Sequence, residues 1–468
     1  MIEVFGYQIE PWLFWAIIGI GATVFFGLTT LFAWILPRKA KLHPKERETI
    51  DHLKKKIETI EKEAKEANEN IKLIEKHFGI QIYADGLPSA KPAVFDPFLE
   101  GTKLMRAYKW DEAIVEFQKA MKEAKASQLI ALYNLIGLCY YTSGRFSLAL
   151  ENYEKSLGLG RQFNDKQGEA NALGNIGLIY QDRGDLDQAL KYSQDALKID
   201  KEIGFRESEA RQLGNIGLVY QSKGDLDEAL KYHEENLTVA RDIGLKESQA
   251  AALGNIGLIY QDRGDLDQAL KYHNENLKVA KEIGLRESEA AALGNIGLIY
   301  KDRGDLDQAL KYHQESLEIS RQIGYKQNEG NQLGNIGLIY QAKGDLDQAL
   351  KYHLEALEIH KEIGFKQGEA SDLGNIGLIY QAKGDLDQAL KYYLEGLEIN
   401  RLIGGKEGEA NKLNNIGNVY YLKGDLDQTL KYYNKALKIF EEIGMPEKIG
   451  IVKGNIERIS QQMKKMKK

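Results

Sequence analysis

The chain has 468 residues, a formal net charge of -6 at pH 7 and a single cysteine, Cys139. So small a charge leaves no basic stripe for nucleic acid, and no base-reading motif is present. A lone cysteine excludes a disulfide within the chain, and among its apolar neighbours Cys139 reads as packing rather than as a reactive thiol.

Trp12 to Leu36 is 25 residues without a charge. At roughly 1.5 Å per residue it is long enough to cross a hydrocarbon core of about 30 Å, so residues 12–36 are predicted as a transmembrane helix. Trp12, Trp15 and Trp34 stand near its ends as interfacial anchors, and Pro11 and Pro37 bracket it. A cleaved signal peptide fits less well, because the preceding segment holds Glu3 and Glu10 without a Lys or Arg. Arg38, Lys39, Lys41, Lys45 and Arg47 all follow the span, which places everything after it in the cytoplasm.

Residues 44–78 are predicted as a coiled coil. Ile50, Leu53, Ile57, Ile60, Ala64, Ala67, Ile71, Ile74 and Phe78 alternate steps of three and four, a heptad seam about four heptads long. A seam this narrow calls for another helix as partner, so residues 50–78 are a candidate homo-oligomer contact. The alternatives are an amphipathic helix on the membrane surface or on the rest of the chain. Residues 79–97 carry five of the chain's prolines and glycines and read as an irregular linker.

From there a 40-residue period takes over. The block LGNIG begins at Leu173, Leu213, Leu253, Leu293, Leu333 and Leu373, and LNNIG at Leu413. Within one unit Leu253, Ile256, Gly257 and Tyr260 have helical spacing, as do Leu266, Ala269, Leu270, His273, Leu277 and Ile283. Each unit is therefore a pair of amphipathic helices. Gly264 suits the left-handed end of the first, Asp265 with Gln268 a capping box for the second, and Gly284 its stop. Gly254 and Gly257 lie inside a helix, where each costs about 1 kcal/mol against alanine. Close helix–helix contact is expected to offset that cost.

Ile256-Gly257, Tyr260, Ala269, His273 and Asn276 resemble the tetratricopeptide repeat. The period is 40 residues instead of about 34, as in kinesin light chains and the Leu-Gly-Asn polarity adaptors. The resemblance implies an all-α fold, a right-handed α-solenoid in which helix pairs stack as a superhelix. Key glycines Gly101, Gly137, Gly177, Gly217, Gly257, Gly297, Gly337, Gly377 and Gly417 mark nine repeats over residues 98–445. Residues 446–468 then form a C-terminal capping helix, whose polar outer face shields the last apolar surface.

The most specific polar pattern is a ladder of asparagines, each but the first two residues before its key glycine: Asn134 (three before), Asn175, Asn215, Asn255, Asn295, Asn335, Asn375 and Asn415. An amide offers both a donor and an acceptor, as a peptide bond does, so a row of them suits an extended backbone. In the families resembled, asparagines at the matching place line the concave groove and grip peptides, which makes these the candidate peptide-binding residues. The other possibility is that each amide bonds a neighbouring helix. Gln181, Gln221, Gln261, Gln341 and Gln381 follow six residues later and are expected to enrich the groove. His233, His273, His313 and His353 occupy the family's packing-aromatic position and read as core or groove wall, not as metal ligands.

No catalytic constellation, metal site or cofactor motif is present. The expected function is a membrane-anchored scaffold binding protein segments and not nucleic acid. Two alternatives stand beside it: a scaffold on the envelope side of the membrane, and a regulatory or targeting subunit for an enzyme on another chain.

Overall fold

The computed structural model describes residues 2–4, 7–9 and 92–466, with the helical positions 55, 62, 65, 66 and 69 between them. The expected membrane span, the coiled-coil seam and the linker as far as residue 91 lie outside the described residues. Among the described residues no helix is long and apolar enough to cross a membrane. Strands β1 (Ile2–Val4) and β2 (Tyr7–Ile9) pair antiparallel, with Glu3 opposite Gln8. At three residues each they are too short for alternation to be readable in the sequence.

The described residues also form nineteen α-helices. They fall into two units, Met1–Asn175 and Ile176–Lys468. In chain order they are α1 (Pro92–Arg106), α2 (Trp110–Met121), α3 (Ala126–Thr142), α4 (Phe146–Gln162), α5 (Lys166–Asp182), α6 (Leu186–Ile203), α7 (Arg206–Ser222), α8 (Leu226–Asp242), α9 (Lys246–Asp262) and α10 (Leu266–Ile283). The series continues with α11 (Arg286–Asp302), α12 (Leu306–Ile323), α13 (Lys326–Ala342), α14 (Leu346–Glu362), α15 (Lys366–Ala382), α16 (Leu386–Leu402), α17 (Lys406–Leu422), α18 (Leu426–Glu442) and α19 (Pro446–Met466).

The stretch expected to be an irregular linker through residue 97 turns helical at Pro92. Proline is tolerated at the first helical position because its missing N–H would have no partner there. In the first unit Phe98, Met105, Phe117 and Tyr153 are buried between helix pairs. Phe117 lies against Gly101 and Tyr153 against Gly137.

The second unit repeats one local design. Gly264 has φ +76 and Gly284 φ +68, the left-handed conformation that glycine adopts without strain. Asp265 caps α10, its side chain accepting from Gln268 N–H at 3.1 Å. The reciprocal arm of the expected capping box is absent, because the Asp265 N–H donates instead to the Tyr260 carbonyl at 2.9 Å. That bond belongs to the glycine turn closing α9, so the turn and the box compete for one donor. The turn wins.

The glycine inside each first helix has the expected cause. A Cβ built on Gly257 would lie 2.6 Å from the His273 ring, closer than atoms pack, so only glycine lets α9 and α10 approach this far. Within the first unit α1 to α4 pack on their neighbours in sequence, as do the helices from α6 onward in the second, where successive first helices, such as α9, α11, α13 and α15, also touch one another. Their shared surface is where a site has to be sought. On the exposed side, Lys223 pairs with Asp187 at 2.6 Å and Lys343 with Asp307 at 2.5 Å, and Arg263–Asp227, Arg303–Asp267, Lys383–Asp347 and Lys423–Asp387 repeat the pattern. The aspartates are almost fully exposed, so these pairs fix geometry more than they add stability. Tyr260 stacks on Tyr272 at 5.5 Å between ring centres, and the same pairing recurs from Tyr180–Tyr192 to Tyr420–Tyr432.

Candidate functional site

Helical geometry sets which side chains share the surface between first helices. On α11, Glu287, Ala291, Gly294, Asn295, Leu298 and Asp302 fall on one stripe, at steps of three and four. Ala291, Gly294, Asn295 and Leu298 of α11, Asn331, Gly334, Asn335 and Leu338 of α13, and Ser371 and Asn375 of α15 line one cavity of about 320 Å³. Three of the ladder asparagines, Asn295, Asn335 and Asn375, thus line the same cavity.

The eight asparagines divide. Asn134 is buried and donates to Ser156 Oγ at 3.0 Å, while Asn175 donates to the Asn134 carbonyl oxygen at 3.3 Å. Both are held by the array itself. Asn215, Asn255, Asn295, Asn335, Asn375 and Asn415 are half-buried. Among the described residues none of these six amides has a hydrogen-bond partner. Beside them runs a leucine row that the sequence analysis did not single out: Leu218 and Leu378 are exposed, and Leu258, Leu298 and Leu338 half-buried. Each leucine stands three residues after a ladder asparagine, so the spacing carried the signal.

The glutamines lie elsewhere than expected. Six residues further along a helix is a rotation of about 120° from the ladder, which turns them toward the second helix of the pair. Gln381 accepts from the Tyr393 hydroxyl at 3.2 Å, and the carbonyl oxygens of Gln261 and Gln341 are buried. Gln181 and Gln221 are half-buried at the equivalent positions. The histidines His233, His273, His313 and His353 are fully buried core, each against its key glycine. Burial lowers His233, His273 and His313 to about 4, because the apolar surroundings penalise the charged ring. Burial likewise pushes the Cys139 thiol up, consistent with packing and not reactivity.

Beneath the groove at α13–α15 lies a polar cluster that sequence reasoning missed. His360, at the end of α14, is 3% exposed and shares Nδ1 with Asp372 Oδ2 at 2.6 Å. Asp372 Oδ1 lies 3.9 Å from His353 Nδ1, beyond hydrogen-bond range. Gln332 bonds His313 Nδ1 at 2.7 Å through its carbonyl oxygen and donates to Asn328 at 2.9 Å. Gln332, Asn328, His360 and Asp372 all line the cavity. Aligning the repeats would have found them: Ala252 and Ala292 stand where Gln332 and Asp372 are, and Ala290 and Ala370 where Gly330 is. Gly330 makes room for the His360 ring, whose Nε2 would lie 2.5 Å from a Cβ there.

A tetratricopeptide-repeat profile matches residues 127–202, 168–242, 208–282, 248–322 and 331–401, and a second one residues 410–442. A search of curated proteins returned no match. Among solved structures, the signal transduction ATPase with a tetratricopeptide repeat sensor from Pyrococcus horikoshii is similar at 17% identity and TM-score 0.58, covering 78% of this chain and 55% of that one. The apo quorum sensor NprR from B. thuringiensis is 18% identical at TM-score 0.55, covering 76% of this chain and 100% of that one. Aspartyl phosphate phosphatase F from Bacillus subtilis is 14% identical at TM-score 0.52, covering 73% of this chain and 95% of that one. At these identities the likeness is one of fold. With profiles covering more than half of its residues, the chain belongs to the tetratricopeptide-repeat family.

Proposed function

We propose that this protein is a membrane-anchored scaffold that holds extended protein segments against the first helices of its second unit. Repeat proteins of this kind are typically non-catalytic interaction scaffolds, and their extended concave surfaces are what they bind with. The observation that carries the reading is the row of unpartnered, half-buried amides from Asn215 to Asn415. An amide left half-open beside a leucine gives a peptide backbone a donor and an acceptor and its side chains an apolar wall. Residues 12–36 supply the anchor, the basic residues after them direct the repeats to the cytoplasm, and residues 50–78 join copies of the chain.

The test begins with crosslinking and mass spectrometry from native membranes, to recover a partner. Its affinity is then measured for Asn255→Ala/Asn295→Ala/Asn335→Ala. Three lost hydrogen bonds at about 0.5–1.5 kcal/mol each lower affinity by about tenfold or more. Melting temperature changes little, since these amides bond nothing within the fold. A sharp fall in melting temperature with unchanged affinity shows instead that the ladder is repeat architecture.

A further inference from the structure

The groove is chemically uneven along its length. On α9 and α11 the stripe begins with Glu247 and Glu287 and ends with Asp262 and Asp302, all exposed. Among the described residues Glu247, Glu287 and Asp262 have no ion-pair partner. Cations on the stripe are fewer. Lys301, at the glutamine position turned about 120° from the ladder, lies off the stripe and 4.0 Å from Asp302. Lys412, on α17, lies over Gly374 and is lowered to about 8 by burial.

Between these ends sits the cavity of about 320 Å³ over α11, α13 and α15. By liquid volume it holds about ten waters, enough for a long side chain. Its floor carries Asp372, 3% exposed. One carboxylate oxygen takes the His360 Nδ1–H; the other, Oδ1, lies 3.6 Å from where a Cβ on Gly334 would stand. Gly334 lines the same cavity, so Oδ1 faces it as an acceptor without a hydrogen bond. His360 Nε2 is buried in the wall with no partner. An Nδ1–H tautomer satisfies Asp372 and leaves Nε2 as a lone pair, whereas a proton there would be a buried donor with no acceptor. The Asp372–His360 contact thus leaves the second carboxylate oxygen of Asp372 as an open acceptor below the groove. Asn295, Asn335 and Asn375 line the same cavity, and each amide offers an acceptor.

We propose that the groove from α9 to α15 selects a cationic extended segment, with one lysine or arginine side chain of the ligand entering the cavity toward Asp372 Oδ1 and its basic neighbours facing Glu247, Glu287, Asp262 and Asp302. This rests on the groove reading above and adds the chemistry of the occupant. Four first helices at about 8–10 Å spacing span roughly 30 Å, which an extended chain covers in about nine residues. Lys412 closes the cation-accepting stretch on the far side.

The experiment uses the full chain in detergent micelles and two fluorescent 12-residue peptides, four copies of Ser-Ala-Lys and four copies of Ser-Ala-Glu, with binding followed by anisotropy. The lysine peptide should bind at least tenfold more tightly than the glutamate peptide, and the difference should shrink as salt rises. Asp372→Asn keeps an acceptor for His360 and should weaken the lysine peptide fivefold or more. Glu247→Gln/Glu287→Gln changes only exposed side chains and should weaken it severalfold in a fold-neutral background. Equal binding of the two peptides, preference for the glutamate peptide, binding of neither, or indifference to both sets of substitutions overturns the inference. If the peptides bind equally and Asn255→Ala/Asn295→Ala/Asn335→Ala weakens both, the groove reading survives and the cationic preference alone falls.

Discussion

Replacing Gly257 with alanine tests whether the key glycine is there for contact or for chain flexibility. The position lies inside α9, so alanine gains about 1 kcal/mol of helix propensity. Against that, the new Cβ would stand 2.6 Å from His273 Cε1 and 2.8 Å from both ring nitrogens. The ring is fully buried, so it cannot swing clear without displacing its neighbours. Overpacking of this kind costs about 1–3 kcal/mol, and the net expectation is a loss of up to about 2 kcal/mol. Gly158, exposed in α4 with nothing within 4 Å of its Cβ position, is the control, and Gly158→Ala should stabilise by up to about 1 kcal/mol. Because repeat stability is a sum of local and nearest-neighbour terms, the readout is hydrogen exchange resolved by repeat, with urea unfolding alongside. Gly257→Ala should speed exchange in α9 and α10, and adding His273→Ala should recover part of the loss. If Gly257→Ala stabilises as Gly158→Ala does, the contact argument for the glycines is wrong.

Three further expectations follow from charge and burial. His233, His273 and His313 fall to about 4 in the folded chain from an ordinary 6.5, so the unfolded chain binds their protons first. Their contribution is full above about pH 6.5 and is lost as pH falls toward 4, by roughly 3 kcal/mol per histidine. His233→Tyr/His273→Tyr/His313→Tyr should flatten the urea midpoint over that range, and an unchanged pH profile refutes the account. Ile57→Asp/Ile60→Asp should convert an oligomer to monomer by light scattering without changing the helical signal of the repeats; a wild-type chain from Pro44 onward that is already monomeric refutes self-association. Protease added to intact cells should leave the repeats uncut, and digestion without permeabilisation reverses the assigned topology.

Period and punctuation alone make the repeats legible in the sequence. Ile256, Gly257 and Tyr260 specify a helix face, and Gly264 with Asp265 specifies where it turns, because these effects act within a few residues. The same locality explains the misses. Whether Asp265 N–H bonds Gln268 or Tyr260 is a competition between two local motifs that sequence does not rank. The glutamine row was placed by counting along a helix, but its facing depends on the second helix, where Tyr393 takes Gln381. Asn134 stands three residues before its key glycine where Asn215 stands two, and from that shifted position it bonds Ser156. The Asp372–His360 pair comes from different helices and was visible only as a departure from the repeat.

Those departures bear on a problem that near-identical repeats create for their own folding. When LGNIG recurs unchanged six times, any second helix presents the same apolar face to any first helix, and wrong neighbours can dock. The buried junctions between repeats are not unchanged. Asp200 meets Ser208 at 2.7 Å, Asn236 meets Ser248 at 2.8 Å, and Asn276 meets Ser288 at 3.0 Å. Asn328 donates to Ser320 at 2.7 Å, and at the next junction the pairing is His360 with Asp372. Size varies in step with polarity: the His360 ring fits because Gly330 and Gly368 flank it, and Asn400 fits against Gly408. A repeat shifted by one unit would set the His360 ring against Ala290 in place of Gly330, overpacking the junction at about 1–3 kcal/mol. The penalty falls on wrong stackings and spares the right one, so the buried polar pairs act mainly on the order of the repeats. Asp372, one of the positions that distinguish the repeats, also lines the cavity over α11, α13 and α15, so a substitution there tests repeat order and the proposed recognition together.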